Sequence, residues 1–269
     1  MNLLVLLGPT ASGKTHLAVQ AARKLDGEII SADSRQVYRG LDIGSGKDLE
    51  EYGSTPYHLI DITDPGYEFS LFDFAQAFSQ AFSEIKSRKH LPILCGGTGL
   101  YLDAVLQGYE LVKVGENKVL RQELEPLPLA SLQERLQALR PEQHNTTDLE
   151  DRSRLIRAIE IAVGEELATA RPLELPDLNP RIFGLRWPRE LLRKRITQRL
   201  RQRLEQGMIE EVEGLHKAGV TRQTLDFYGL EYRFVGQYLQ GQLNRNDLFL
   251  KLNSAIHQFA KRQETWFRR

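Results

Sequence analysis

The sequence predicts an α/β fold: a parallel sheet flanked by helices, with a small helical insert domain. Three observations carry that prediction. The apolar run at residues 3–7 ends in a glycine-rich turn and leads into helical periodicity. Further short strand candidates recur at 28–31 and 91–95, separated by a stretch of helical spacing. Strand signals fade after Gly108, where a polar helical region begins. Continuous rather than alternating apolar strands are those buried on both faces of a parallel sheet.

In order, residues 3–7 read as a buried strand, 14–25 as a helix, 28–31 as a second strand after Asp26-Gly27, and 57–61 as a short third. A strand, loop, helix and strand in succession imply a right-handed parallel unit. Residues 71–86 form an amphipathic helix with Phe72, Ala75, Phe78, Ser79 and Phe82 at helical spacing, and 91–95 a further strand closed by Gly96-Gly97. Residues 113–165 read as the insert, punctuated by Pro126, Pro128 and Pro141. A strand at 181–187 then returns the chain to the sheet, and helices are expected at 189–206, 209–218, 231–239 and 245–268. The core is thus expected to comprise 1–112 and 166–269.

At 269 residues, with 41% hydrophobic and 27% charged composition, the chain can bury a full core. Its single cysteine, Cys95, excludes an internal disulfide framework and fits a reducing cytoplasm. The run at 3–7 is too short for a signal-peptide core, and no stretch is long enough to span a membrane. The formal net charge is zero, but residues 181–269 hold 18 Lys and Arg against 9 Asp and Glu. Such clustering is the footprint of a surface that meets phosphates, although a solvated helix face shows the same pattern.

Gly8-Pro9-Thr10-Ala11-Ser12-Gly13-Lys14-Thr15 matches G-x-x-x-x-G-K-[ST] between a strand and a helix start, so the sheet is expected to be P-loop NTPase-like. Backbone N–H groups, the helix N-terminus and the Lys14 charge together suit an oligophosphate, and the Thr15 hydroxyl suits Mg²⁺. The motif alone does not distinguish a nucleotide such as ATP from a lipid diphosphate. A GTPase base reader is absent, since Asn117-Lys118-Val119-Leu120 lacks the required Asp. A small-molecule kinase remains open.

Beyond the loop, Ser31-Ala-Asp33-Ser34-Arg35-Gln36-Val-Tyr38-Arg-Gly40-Leu-Asp-Ile-Gly44 resembles the tRNA dimethylallyltransferase family, also called tRNA isopentenyltransferases. Further strings follow in that family's order: His58-Leu-Ile-Asp61, Pro92 to Tyr101, Arg154-Leu-Ile-Arg157-Ala-Ile-Glu160, Arg195-Ile-Thr-Gln-Arg199 and Ala260 to Arg268. The resemblance covers nearly the whole chain. It implies transfer of a dimethylallyl group from dimethylallyl diphosphate to the exocyclic amine of the adenosine 3′ to the tRNA anticodon, with Mg²⁺, by a cytoplasmic monomer.

The resemblance also implies roles. Asp33 is similar to the family's general base, alternatively a turn cap or Mg²⁺-linked carboxylate. Lys14, Arg199 and Mg²⁺ on Thr15 match positions that neutralise the departing diphosphate. Thr98 matches a residue beside the target adenosine, or else caps the helix beginning near Gly99. For the anticodon loop it points to Asp33, Ser34, Arg35, Gln36, Thr98, Arg121, Ser153, Arg154, Arg157, Tyr232, Arg233, Lys261, Arg262 and Arg268. The target base must leave its stack, and aromatic and Arg side chains suit that task. Arg154 and Arg157 could equally belong to a solvated helix, while Tyr101, Cys95 and His58 read as packing or local hydrogen bonding.

Several positions depart from the family pattern. Its usual Gly-Thr-Ala-Lys-Pro is Gly44-Ser45-Gly46-Lys47-Asp48, its Gly-Tyr is Glu231-Tyr232, and its Thr-Arg is Ile256-His257. Two other acceptor readings stay open: an adenylate isopentenyltransferase using free AMP, ADP or ATP, and a non-catalytic RNA-binding relative.

Overall fold

The computed structural model describes residues 1–141, 149–167 and 171–268. Its two compact units are Met1–Tyr109 with Leu175–Arg269, and Glu110–Glu174. The second unit extends past the 113–165 expected for the insert, and part of that expectation, 142–148, lies outside the described residues. The added flanks carry no helical periodicity. They are held by backbone pairing instead: Leu173 N–H donates to the Leu111 carbonyl at 2.8 Å.

The first unit holds five strands: β1 Leu3–Leu7, β2 Gly27–Ala32, β3 Tyr57–His58, β4 Leu91–Gly96 and β5 Pro180–Gly184. Their order is β3-β2-β4-β1-β5, and every pairing is parallel. Alternation along β1 explains its continuous apolarity. Leu3 and Val5 enter a cluster with Phe74, Phe78 and Tyr101. Leu4 and Leu6 enter one with Ala18, Val19 and Ala22 on the other face. Helix α1 (Lys14–Leu25) covers the latter face, and α2 (Leu71–Ser87) and α3 (Gly99–Leu106) cover the former. α2 begins in a capping box in which Asp73 N–H donates to Ser70 Oγ at 3.2 Å and Ser70 N–H to Asp73 Oδ2 at 2.9 Å.

β3 stops earlier than its hydrophobic pattern suggests. Leu59 and Asp61 adopt left-handed backbone, with φ of 64° and 55°, which ends an extended strand. The amides that follow turn inward, Asp61 N–H to the Gln36 carbonyl and Ile62 N–H to that of Val37.

The second unit packs α4 (Lys118–Leu124), α5 (Leu129–Leu139) and α6 (Arg152–Leu167) around Leu124, Leu132, Leu155 and Ile159. The basic last third of the chain supplies α7 (Arg189–Glu205), α8 (Met208–Lys217), α9 (Arg222–Phe227), α10 (Leu230–Leu239) and α11 (Arg245–Trp266). α9 has no counterpart in the sequence expectation, because six residues are too few to show a period. Leu192, Ile196 and Leu200 of α7 and Leu248, Leu252, Ile256 and Ala260 of α11 form the facing stripes.

At the amino end of β2, Glu28 is 3% exposed and receives Arg88 Nε and Nη2 at 2.8 and 2.7 Å. The rings of His58 and His90 also lie on its oxygens, each at 2.7 Å. The Arg88 hydrogen bonds lead in holding its pKa at about 2, against the opposing effect of burial. A depressed carboxylate stabilises the fold fully above its unfolded value near 4.5, and the contribution disappears as pH falls through about 2. Glu28→Gln should therefore lose up to about 3 kcal/mol at neutral pH. Denaturant titrations should show the difference from the parent protein shrinking below pH 4.5, and a pH-independent difference would contradict this reading.

Candidate active site

The site follows from strand register. Leu7 of β1 and Ala32 of β2 both align with Gly96 of β4, so the segments after these three strands emerge side by side. They are the phosphate loop, Asp33-Ser34 and Gly97-Thr98. The carboxyl edge of a parallel sheet is where open α/β folds bind ligands. Thr98 N–H donates to the Ala32 carbonyl at 3.2 Å, and Ser34 N–H donates to Thr98 Oγ1 at 3.1 Å. The Thr98 side chain thus ties the two loops together and makes no cap bond to α3. Asp33 Oδ1 accepts Arg35 N–H at 2.9 Å, so it shapes its own turn while lying half-buried at the strand end.

Within the phosphate loop, Ala11 and Gly13 have left-handed φ values of 60° and 89°. Such turns aim successive amides into one concavity, to which the start of α1 adds positive potential. Lys14 Nζ donates to the Pro9 carbonyl at 3.0 Å. Burial pushes its pKa below the ordinary lysine value, the Asp33 carboxylate opposes that shift, and Arg199 reinforces it. Lys14, Asp33 and Arg199 therefore share one electrostatic environment. Arg199 Nη2 is paired with Asp48 Oδ2, and it lines a narrow cleft with Thr10, Ala11, Arg203 and Glu231.

Three side chains to which the sequence expectation gave no role in the site hold this loop in shape. Arg195 Nε donates to the Ala11 carbonyl at 2.8 Å, and Trp187 Nε1 to that of Ser12 at 2.9 Å. The Arg195 guanidinium lies 4.8 Å from the Trp187 ring centroid. Gln263 accepts Thr10 N–H at 2.8 Å and donates to the Gly97 carbonyl at 2.9 Å. A signal for Gln263 existed: it continues the buried stripe of α11 after Ile256 and Ala260, and a polar residue on an apolar stripe marks a required hydrogen bond. Gln263→Ala should leave the fold intact yet weaken pyrophosphate binding about tenfold, as read by calorimetric titration. Unchanged affinity would show that the bridge does not preorganise the loop.

The IPP transferase family model matches residues 36–269. The chain belongs to that family. It is 65% identical to tRNA dimethylallyltransferase 2 of Syntrophotalea carbinolica, across 100% of this chain and 90% of the relative. It is 63% identical to tRNA dimethylallyltransferase 1 of Geotalea uraniireducens, across 100% and 88%. Its fold matches the crystal structure of a full-length tRNA isopentenylpyrophosphate transferase from Bacillus halodurans, with TM-score 0.72, 36% identity and coverage of 99% and 86%. A eukaryotic dimethylallyltransferase acting on tRNA shares the fold at TM-score 0.78 and 23% identity, across 98% of this chain and 69% of that one.

In this IPP transferase, the residues expected to meet RNA separate into distinct settings. Lys261, Arg262 and Arg268 are exposed, with Ser34, Arg35 and Arg233 partly so. Arg35 packs its guanidinium 4.8 Å from the Phe227 centroid. Gln36 and Tyr232 differ from expectation because both are buried. Gln36 joins Ser31 Oγ to the Gly46 carbonyl. Tyr232 is 1% exposed, and its hydroxyl donates to Glu211 and accepts from Ser45 N–H. It shares the inward face of α10 with Val235 and Gly236, so helical spacing turns it into the core rather than toward RNA.

In the second unit, Arg121 and Arg157 converge on the buried Glu160. Arg157 also donates to the Val114 carbonyl at 2.9 Å. These two hold the unit together, whereas the Arg154 side chain is 61% exposed beside Asp151. The Ser153 hydroxyl donates to Asp151 at 2.7 Å. Cys95 is buried, which raises its thiol to about 11 and makes it a packing residue. Tyr101 stacks on Phe74 at 4.0 Å between centroids. Among the described residues no helix is long and apolar enough to cross a membrane.

Proposed function

We infer that the chain transfers a dimethylallyl group from dimethylallyl diphosphate to the N6 amine of the adenosine 3′-adjacent to the tRNA anticodon, releasing diphosphate. The carrying observation is the register that sets Asp33 and the phosphate loop on either side of the carboxyl end of β4, in a chain whose family and relatives are prenyl transferases of tRNA. Phosphate loop, Lys14 and Arg199 bind the diphosphate. Thr98 fixes the loop that carries Asp33. The adenine amine is a weak nucleophile, because its lone pair is delocalised into the ring. Asp33 orients it and accepts its proton as nitrogen attacks the allylic carbon. The carbon–oxygen bond breaks with its electron pair passing to the diphosphate, whose growing charge Lys14 and Arg199 meet.

The residues also fit Mg²⁺ carried in on the donor. Such an ion takes most of its ligands from phosphate and water, and among the described residues no group of three or more His, Cys, Asp or Glu could hold a metal independently. The Thr15 hydroxyl and a buried Ser12 Oγ without a hydrogen-bond partner among the described residues lie on the loop that would receive it. When bound, the ion would supply further neutralisation of the leaving group. Exposed Lys261, Arg262 and Arg268, with Arg154 of the second unit, are the residues offered to the RNA backbone. Action as a cytoplasmic monomer belongs to the same reading.

Purified protein given Mg²⁺, labelled dimethylallyl diphosphate and unmodified tRNA should label the tRNA. Label appearing only on free adenine nucleotides would move the acceptor to AMP, ADP or ATP.

A further inference from the structure

The fold gathers four residues from distant parts of the chain. Glu231 and Ile256 line the cleft that contains Thr10, Ala11 and Arg199. Asp48 is the carboxylate paired with Arg199. Gly46 lies where an added Cβ would come 2.7 Å from Arg199 Nη2 and 2.6 Å from Arg203 Cζ. Its φ of 68° disfavours a side chain as well. The group these positions surround is the Arg203 guanidinium.

Arg203 continues the inward stripe of α7 after Leu192, Ile196 and Leu200. Its side chain is 9% exposed, and Nε and Nη2 have no hydrogen-bond partner among the described residues. Its other contacts are weak: Nη1 is 3.4 Å from the Gly44 carbonyl, and Nη2 is 3.6 Å from Asp48 Oδ2. A buried guanidinium with unmade hydrogen bonds destabilises the state that contains it. Arginine cannot relieve that by losing its proton. A phosphate group complements it, because its oxygens accept the parallel donors of the guanidinium fork. Arg203 borders the same cleft as Thr10 and Ala11 of the phosphate loop.

We propose that Arg203 is a second guanidinium of the diphosphate site, that Asp48 holds Arg199 and Arg203 while the site is empty, and that incoming diphosphate displaces Asp48 from both. This rests on the diphosphate reading of the phosphate loop and adds a residue and a competing anion to it. Asp48 is the carboxylate that faces both guanidinium groups, with Glu231 in the lining of the same cleft. The donor's diphosphate then exchanges with the Asp48 carboxylate, whose side chain is 37% exposed.

The test is calorimetric titration of inorganic pyrophosphate, with Mg²⁺, into the parent protein and into Arg203→Leu, Arg203→Lys and Asp48→Asn. Arg203→Leu should weaken binding about tenfold or more, as expected for loss of hydrogen bonds to a charged group. Arg203→Lys should recover part of that loss, and Asp48→Asn should tighten binding several-fold by removing the competitor. Equal affinity in a folded Arg203→Leu protein would overturn the proposal and leave the phosphate loop's role standing. Should Arg203→Leu fail to fold, the other two decide: unchanged or weaker binding in Asp48→Asn, or full parental affinity with no dependence on side-chain geometry in Arg203→Lys, overturns it. Absence of pyrophosphate binding to the parent protein would remove the diphosphate reading itself, and this proposal with it.

Discussion

Lys14→Ala should reduce dimethylallyl transfer to tRNA by about a thousandfold, with little change in thermal stability. The ammonium rests on one carbonyl, that of Pro9, in a buried setting that lowers its pKa. Its charge becomes most useful as diphosphate departs, because negative charge then grows on oxygens that have shed water. The loss should appear mainly in kcat, with a smaller loss of donor affinity, since the interaction strengthens toward the transition state. Turnover within tenfold of the parent protein would show that the loop does not hold the leaving group.

Asp33→Asn should lower turnover by about a hundredfold to ten-thousandfold while leaving tRNA affinity nearly unchanged. Asparagine is the informative substitution because Asp33 has two structural possibilities superimposed. Its Oδ1 accepts Arg35 N–H at 2.9 Å, and an asparagine oxygen preserves that bond and the turn. What it removes is the ability to take a proton from the adenine amine. Filter binding and single-turnover labelling with the same tRNA separate the two. A variant as active as the parent protein would make Asp33 only a turn residue.

The visibility of these two residues in the sequence has a local cause. Gly8 to Thr15 is recognisable as a phosphate-loop motif within eight consecutive residues, because a tight turn, a helix start and a cation are contiguous in it. The placement of Asp33 and Thr98 was legible because each lies just past an apolar strand, at the carboxyl edge of a parallel sheet. The braces were not legible in the same way. Gln263 bonds Thr10 across 253 residues, Arg195 bonds Ala11 across 184, and no local pattern encodes such a pairing. Only the presence of polar side chains on otherwise apolar stripes, Gln263 on α11 and Arg203 on α7, hinted at buried work.

Tyr232 and Gln36 show the opposite limit. Membership in a basic or signature-bearing segment suggested contact with RNA, whereas facing is a property of the packed helix and loop. Tyr232 falls on the α10 stripe with Val235, and Gln36 is turned inward onto Ser31 and Gly46. Likewise, Arg121 and Arg157 carry charge that could meet phosphate, yet burial of Glu160 draws both to itself, because an unpaired buried carboxylate would be strongly destabilising.

By itself the sequence determined the parallel α/β layout, the glycine-rich loop between β1 and α1 and the carboxylate at the end of β2, since each depends on residues adjacent in the chain or on the period of one element. Tertiary structure alone decided which cations face the cleft, which are tied to carboxylates and which side chains brace the loop. Those outcomes depend on the register of β1, β4 and β2 and on how α7 and α11 pack, and contacts made across more than 150 residues leave no periodic trace in the sequence they join.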